Sequence, residues 1–311
     1  MKAGRKKGTV GIVGLGIMGG NFARHLVDAG WRVVGFDVDA GINRRMAKLG
    51  VEIVRDVATL AKQVPVLITS LPNPQALAAT VAAICGVKLP RKVIIEASTF
   101  TLDDKMKAES TLRKAGHITI DCPVSGTGIQ AEKKDVVFYA SGDGKAIARL
   151  KPMFAAFSRG FHDVGAYGNG SKMKYVANLL VAIHNVASAE AMVLGMKAGL
   201  DPFQIVDLIG NGAGTSRMFE VRAPMMARDH YEPPTMKVKV FQKDMDVIGS
   251  YAAKIGVPTP TFSATLPIYA AAMSMGHGME DTGSVCAVLE RMAALRRRKA
   301  GKGRKGKGRK R

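Results

Sequence analysis

The chain has 311 residues, 47% of them hydrophobic, with 35 glycines, a single tryptophan and a formal net charge of +21. That length and apolar content suit one or two packed domains and exclude a disordered or fibrous chain. Three distant cysteines (Cys85, Cys122, Cys286) and six scattered histidines form no CxxC and no HExxH, which excludes a zinc motif and a disulfide framework and fits a reducing cytoplasm.

The basic start, Lys2–Lys7, leads into a glycine-dense apolar run that reads as strand and turn, not as a signal peptide. Thr9–Val13 is β-branched and predicts a strand. Gly14-Leu15-Gly16-Ile17-Met18-Gly19 follows, a GxGxxG, and then a helical pattern through Phe22 and Leu26 to Gly30. Trp31–Phe36 is a second apolar run, ended by Asp37, 18 residues after the last glycine. Gly14 allows the tight turn, Gly16 lets backbone approach a pyrophosphate, and Gly19 lets helix and strand pack closely. The free N–H groups of the helix start face the pyrophosphate, and an acid at this distance meets the adenosine ribose hydroxyls. A carboxylate there repels a 2′-phosphate, so Asp37 favours NAD over NADP. Arg44 and Arg45 are expected on a solvated helix face.

Strands are predicted at Val51–Val54, Val66–Leu71, Val93–Ala97, His117–Cys122, Val136–Ser141 and Phe161–Val164. Helices are predicted at Pro74–Ile84, Leu102–Ala115 and Lys145–Phe157. This alternation predicts a doubly wound, largely parallel sheet of the Rossmann type. Ligands on such sheets lie beyond the carboxyl ends of the strands. Leu71, Pro72, Ser98 and Thr99 fall at such ends. So does Asp121-Cys-Pro-Val-Ser-Gly126, where Ser125 and Gly126 offer a hydroxyl and backbone N–H groups to an anion.

Strands stop after Gly165. Gly168–Gly199, Pro202–Ile209, Phe219–Met226, Val240–Ile255 and Pro260–Met275 all read as helices. The expected organisation is a dinucleotide-binding domain over 1–165, an all-α substrate and oligomerisation domain over 166–293, and a disordered basic tail over 294–311. Val176–Met196 is apolar enough to raise a membrane span, but Asn178, His184, Asn185 and Glu190 interrupt it, so a buried core helix is expected. Lys174 and Asn178 stand four apart near the start of that helix, on one face. With the domain boundary just before them, they are expected to line a cleft. Burying an unpaired ammonium is costly, so the alternative for Lys174 is a side chain that snorkels to solvent. Lys243, in Lys243-Asp244-Met-Asp246, is either a second cleft lysine or an exposed helix charge.

Residues 296–311 hold eleven Lys or Arg and no acid; without them 35 bases face 25 acids, a balance of +10. The fold itself is therefore only mildly basic. The glycine-spaced bases cannot pack a core, and they have no aromatic for base stacking. They suggest a non-specific polyanion contact, or added solubility alone.

Four motifs, GLGIMG (Gly14–Gly19), DCPVSG (Asp121–Gly126), GNGSKMKYVAN (Gly168–Asn178) and KDMDVI (Lys243–Ile248), resemble those of the β-hydroxyacid dehydrogenase family over about residues 8–293. The resemblance implies that Lys174 is the catalytic acid/base, that Ser125 and Gly126 bind the substrate carboxylate, and that Asn178 orients substrate. It implies that Lys243 lies by nicotinamide and substrate, and that Thr99 and Leu71-Pro72 touch the cofactor. It further implies hydride transfer between NAD and a small hydroxy acid or semialdehyde, no metal, and a homodimer or homotetramer. The chain departs from the family where glycines are usual, at Thr127, Gln130 and Lys134, and these changes are expected to reshape the substrate pocket. The rival reading is a polyanion- or nucleic-acid-associated protein on a dehydrogenase fold, working through its tail. Lys174, Asn178 and Ser125 weigh against it, because a chain without catalysis has no need of them.

Overall fold

The computed structural model describes residues 7–297. The expected tail beyond Arg297 lies outside the described residues. The described chain forms two compact units. One is the chain up to Leu180 together with Val240–Pro260; the other is Val181–Lys239 with the chain from Thr261 on. The last strand ends at Asp163, so the first unit takes in helical segments as well as the sheet.

The strands of the first unit are β1 (Thr9–Val13), β2 (Arg32–Phe36), β3 (Glu52–Ile53), β4 (Val66–Thr69), β5 (Val93–Glu96), β6 (Ile118–Asp121), β7 (Val124–Ser125), β8 (Val137–Gly142) and β9 (Gly160–Asp163). Its helices are α1 (Ile17–Asp28), α2 (Ala40–Ala47), α3 (Val57–Gln63), α4 (Pro74–Cys85), α5 (Leu102–Lys114), α6 (Gly128–Glu132) and α7 (Gly144–Phe154). The strand order is β3-β2-β1-β4-β5-β6-β8-β7, with β9 on β8. Every pairing from β3 to β6 is parallel, and β8 runs antiparallel to β6 and β7. The order reverses at β1, which places the ligand crevice of a doubly wound sheet between β1 and β4.

The pleat decides which side chains meet which helix layer. Val10, Ile12, Val33, Ile68, Ile95 and Ile120 pack with Phe22 and Leu26 of α1 and Ile147 and Phe154 of α7 on one face. Val13, Val34, Leu67 and Ile94 pack with Leu60 of α3, Leu77 and Val81 of α4 and Leu112 of α5 on the other. Phe22, Phe138, Phe154 and Phe157 add an aromatic cluster with ring centroids 4.9–5.5 Å apart. At Gly11 on β1 a Cβ would stand 2.4 Å from Leu60 Cδ2, so glycine there sets how closely α3 approaches the sheet.

Helices α8 (Asn169–Lys197), α9 (Pro202–Gly210), α10 (Arg217–Arg228), α11 (Val238–Lys254), α12 (Pro260–Ser274) and α13 (Val285–Met292) follow in the described residues. α8 is long and apolar enough to cross a membrane by length and composition. It nevertheless buries Ser171, Lys174, Asn178, Asn185 and Ser188, as a core helix does and a lipid-facing one does not. The second unit is held by an ion pair between Arg222 Nε and Asp281 Oδ1 at 3.2 Å, both side chains buried. Thr235 Oγ1 and the backbone N–H groups of Thr235 and Met236 donate to Asp281 Oδ2. Arg297, placed by composition in the basic tail, is docked here. It pairs with Glu290 and donates to the carbonyls of Met226 and Ala227 at the end of α10.

Candidate active site

The GxGxxG turn joins β1 to α1. Gly14 has φ +87°, and a Cβ on it would lie 2.2 Å from the Ser70 carbonyl oxygen; on Gly19 a Cβ would lie 1.9 Å from the Gly14 oxygen. Above Gly16 a Cβ would meet nothing within 4 Å. The space that a phosphate group requires is thus open while the turn behind it is closed. Helices α2 to α7 each have a side-chain cap at the N-terminus, from Asp39, Asp56, Asn73, Thr101, Thr127 and Asp143, and α1 has none among the described residues. Its first N–H groups are left for an anion, as the dipole also favours. Asp37, at the end of β2, accepts from Leu15 N–H at 2.7 Å and from Asp39 N–H at 2.9 Å. These bonds fix its carboxylate against the turn. The residues present therefore fit a nicotinamide dinucleotide, with Gly14–Gly19 and Asp37 as its holders.

The strand ends beyond β4 and β5 are tied together. Leu71 N–H donates to Ser98 Oγ at 2.8 Å, and Ser98 N–H donates to Glu96 Oε1 at 2.9 Å. Thr99 offers its carbonyl to Lys243 Nζ at 2.6 Å, with the ammonium also 5.3 Å from the centroid of Phe100. Pro72 is exposed.

Lys174 and Asn178 lie on α8, both nearly buried at 6% and 5% exposure, which decides against a lysine that merely snorkels. Asn178 Nδ2 donates to Asp244 Oδ2 at 2.8 Å, and the other Asp244 oxygen stands 3.2 Å from Lys243 Nζ. Tyr175 OH, one residue after Lys174, donates to the Phe100 carbonyl at 2.6 Å. Lys174, Asn178, Lys243 and Thr99 are thereby brought into one group. All of them belong to the first compact unit. Burial holds Lys174 below the ordinary lysine pKa, and the like charge of Lys243 adds to this; the carboxylate of Asp244 opposes it.

Ser125 ends β7, which pairs with β8, and Gly126 follows at φ +136°, where a Cβ would meet Val136 Cγ1 at 2.8 Å. The segment then enters α6. At Gly128 a Cβ would touch Ile17 Cγ2 at 2.6 Å, so the Ser125–Gly128 stretch abuts the dinucleotide turn. Thr127 and Gln130 form a capping box, with Gln130 Oε1 accepting from Thr127 N–H at 3.0 Å. Gln130 Nε2 donates to Asp135 Oδ2 at 3.3 Å. Both side chains direct polar atoms at the start of α6. Lys134 is exposed with φ +60°, a conformation natural to glycine.

The motif reading gave Asp244 no role, since adjacency to Lys243 says nothing of a reach to Asn178. Glu96, Lys105 and Ser171 were likewise invisible as site-supporting residues; only their burial beside Asp121 reveals them.

The family model for the NAD-binding domain of 6-phosphogluconate dehydrogenase matches residues 9–168. That for the NAD-binding region of NADP-dependent 3-hydroxyisobutyrate dehydrogenase matches residues 168–289. The chain is 31% identical to L-threonate dehydrogenase of Cupriavidus necator over 90% of its own length and 95% of that protein. Among solved structures it resembles 3-hydroxyisobutyrate dehydrogenase from Salmonella typhimurium, with TM-score 0.81, 28% identity, and coverage of 91% and 100% of the two chains. It also resembles the Mycobacterium tuberculosis enzyme of that name, described with L-serine, with TM-score 0.83, 26% identity, and coverage of 91% and 99%. The dinucleotide turn and the helical half are thus matched together along nearly the whole fold, and the chain belongs to the β-hydroxyacid dehydrogenase family, as an NAD(P)-dependent hydroxyacid dehydrogenase.

Proposed function

We propose that the chain oxidises a small β-hydroxy acid, or reduces the matching semialdehyde, with Lys174 as the acid/base. The observation that carries this is the buried Lys174, one helical turn from an Asn178 that Asp244 holds in place. When bound, the nicotinamide cofactor supplies the hydride acceptor. In oxidation, neutral Lys174 takes the proton from the hydroxyl oxygen at Nζ as the hydride leaves the carbon that bears this hydroxyl; in reduction, its ammonium returns that proton to oxygen. Ser125 and Gly126 hold the substrate carboxylate, Asn178 orients the hydroxyl, and Leu71, Pro72, Thr99 and Lys243 border the cofactor. Fixing the carboxylate restricts the reacting carbon to a near-attack position. A panel of three- to six-carbon hydroxy acids and semialdehydes, including L-threonate, 3-hydroxyisobutyrate and L-serine, read by NADH absorbance, tests the reading. No turnover of any member with either cofactor sinks it.

The pH profile follows from the same group. Oxidation needs neutral Lys174, so kcat/KM for oxidation is expected to rise with pH through a midpoint below the ordinary lysine value of about 10.4. Removing the positive neighbour in Lys243→Met should move that midpoint up. Removing the negative one in Asp244→Asn should move it down. Shifts of the opposite sign would show that another group titrates.

Asp37 makes NAD the preferred cofactor in this reading, although the family model over 168–289 is described for an NADP-dependent enzyme. In Asp37→Ser the relative use of NADP should rise, because the carboxylate no longer repels a 2′-phosphate. A wild-type KM lower for NADP than for NAD would overturn this assignment. The exposed apolar residues Met173, Val176, Leu180 and Leu194 on α8 support self-association into a dimer or tetramer.

A further inference from the structure

Beneath the strand ends lies a charge cluster that the chemistry does not use directly. Lys105 of α5 is 0% exposed, and its Nζ stands 2.7 Å from both Asp121 Oδ1 at the end of β6 and Glu96 Oε2 at the end of β5. Asp121 is also fully buried. Its Oδ2 accepts from the backbone N–H of Ser171 at 2.7 Å and its Oδ1 from Ser171 Oγ at 2.9 Å. Ser141 Oγ accepts from Gly170 N–H at 3.0 Å. The first turn of α8 is therefore held to β6 and β8 through its own N–H groups, where a carboxylate is favoured by the helix dipole. A Cβ on Gly170 would lie 2.3 Å from the Tyr139 oxygen, so the turn is also pressed against the sheet. Lys174 is the next turn of the same helix. From the other side of Lys105, Glu96 holds Ser98, and Ser98 holds Leu71.

We propose that Lys105, Asp121 and Ser171 are positioning residues, which set the distance between Lys174 and the cofactor-bearing strand ends so that proton and hydride leave the same substrate in register. One lysine grips the two acids, one acid gripping the Lys174 helix and the other the Ser98–Leu71 loop. The excess negative charge of one lysine with two acids is met by the helix N-terminus. This assignment rests on Lys174 being the acid/base.

The test compares wild type, Lys174→Ala, Ser171→Ala and Asp121→Asn as full-length protein. Ser171→Ala removes one hydrogen bond, and Asp121→Asn keeps the shape while removing the charge. Each is measured for NADH-binding stoichiometry, KM, and the single-turnover rate of NADH formation with L-threonate or 3-hydroxyisobutyrate and NAD. The expected result is a single-turnover rate about 10-fold lower in Ser171→Ala and about 100-fold lower in Asp121→Asn, the scale of a misplaced catalytic group. NADH stoichiometry and substrate KM should stay near wild type. A per-site rate within about twofold of wild type in both variants overturns the proposal. So does a loss of rate that only tracks lost NADH sites, which is the mark of a merely structural cluster. Wild type inactive on the whole hydroxy-acid panel with either cofactor, or undiminished rate in Lys174→Ala, overturns the functional reading itself and the proposal with it.

Discussion

Lys174→Ala is expected to lower kcat by about 10²–10⁴-fold, the contribution of a general acid/base. NADH should bind almost as in wild type. Of the dinucleotide holders, Asp37 is fixed by backbone donors of its own, the N–H groups of Leu15 and Asp39. The loss should appear equally in kcat and kcat/KM, since the proton moves only in the transition state. Steady-state kinetics with fluorescence titration of NADH checks both halves. A variant keeping more than about a tenth of wild-type kcat would remove Lys174 from the role.

The largest effect on stability is expected from Lys105→Met. Its removal leaves Glu96 and Asp121 buried side by side without their cation. Breaking a buried pair by deleting one partner costs about 3–5 kcal/mol, because the remaining charge has no compensation. Against a typical total of about 5–15 kcal/mol, that is a large share. The sheet-bearing unit should melt roughly 6–20 °C lower, at about 2–4 °C per kcal/mol. The sign of the pH dependence is set by Lys105, whose pKa the two acids raise over a strong opposing effect of burial. A raised folded value means stability that is fully present below the unfolded value of about 10.4 and lost as pH rises through the folded one. In wild type this contribution should therefore be flat between about pH 6 and 9, whereas the variant, whose two buried acids repel, should recover part of its Tm as pH falls. A fall of under about 2 °C would mean that the two carboxylates find other partners.

Much of the sheet was legible beforehand. Thr9–Val13 is a strand as expected, and the boundaries of α4 and α5 agree within a residue or two. Long β-branched runs between glycines leave few other options. The elements not anticipated are short: α3, α6, α13 and the two-residue β7. β7 exists because Val124 and Ser125 pair with Val137 and Phe138, which no local pattern announces. α6 is a single turn held by its own capping box, with Thr127 and Gln130 read as departures from glycine and not as a helix start.

By itself the sequence determined the doubly wound sheet, the dinucleotide turn and the pairing of Lys174 with Asn178 on one helix face. These are local matters: strand period, glycine φ and a spacing of four. Only the tertiary structure decided what surrounds them. It buried Lys174, brought Asp244 from 66 residues away onto Asn178, and gave Lys243 the Thr99 carbonyl to bind. It also placed Lys105 between Glu96 and Asp121, and Asp121 on the first turn of α8. A charge becomes a support or a catalyst through its desolvation and its partners, and both are set by residues distant along the chain.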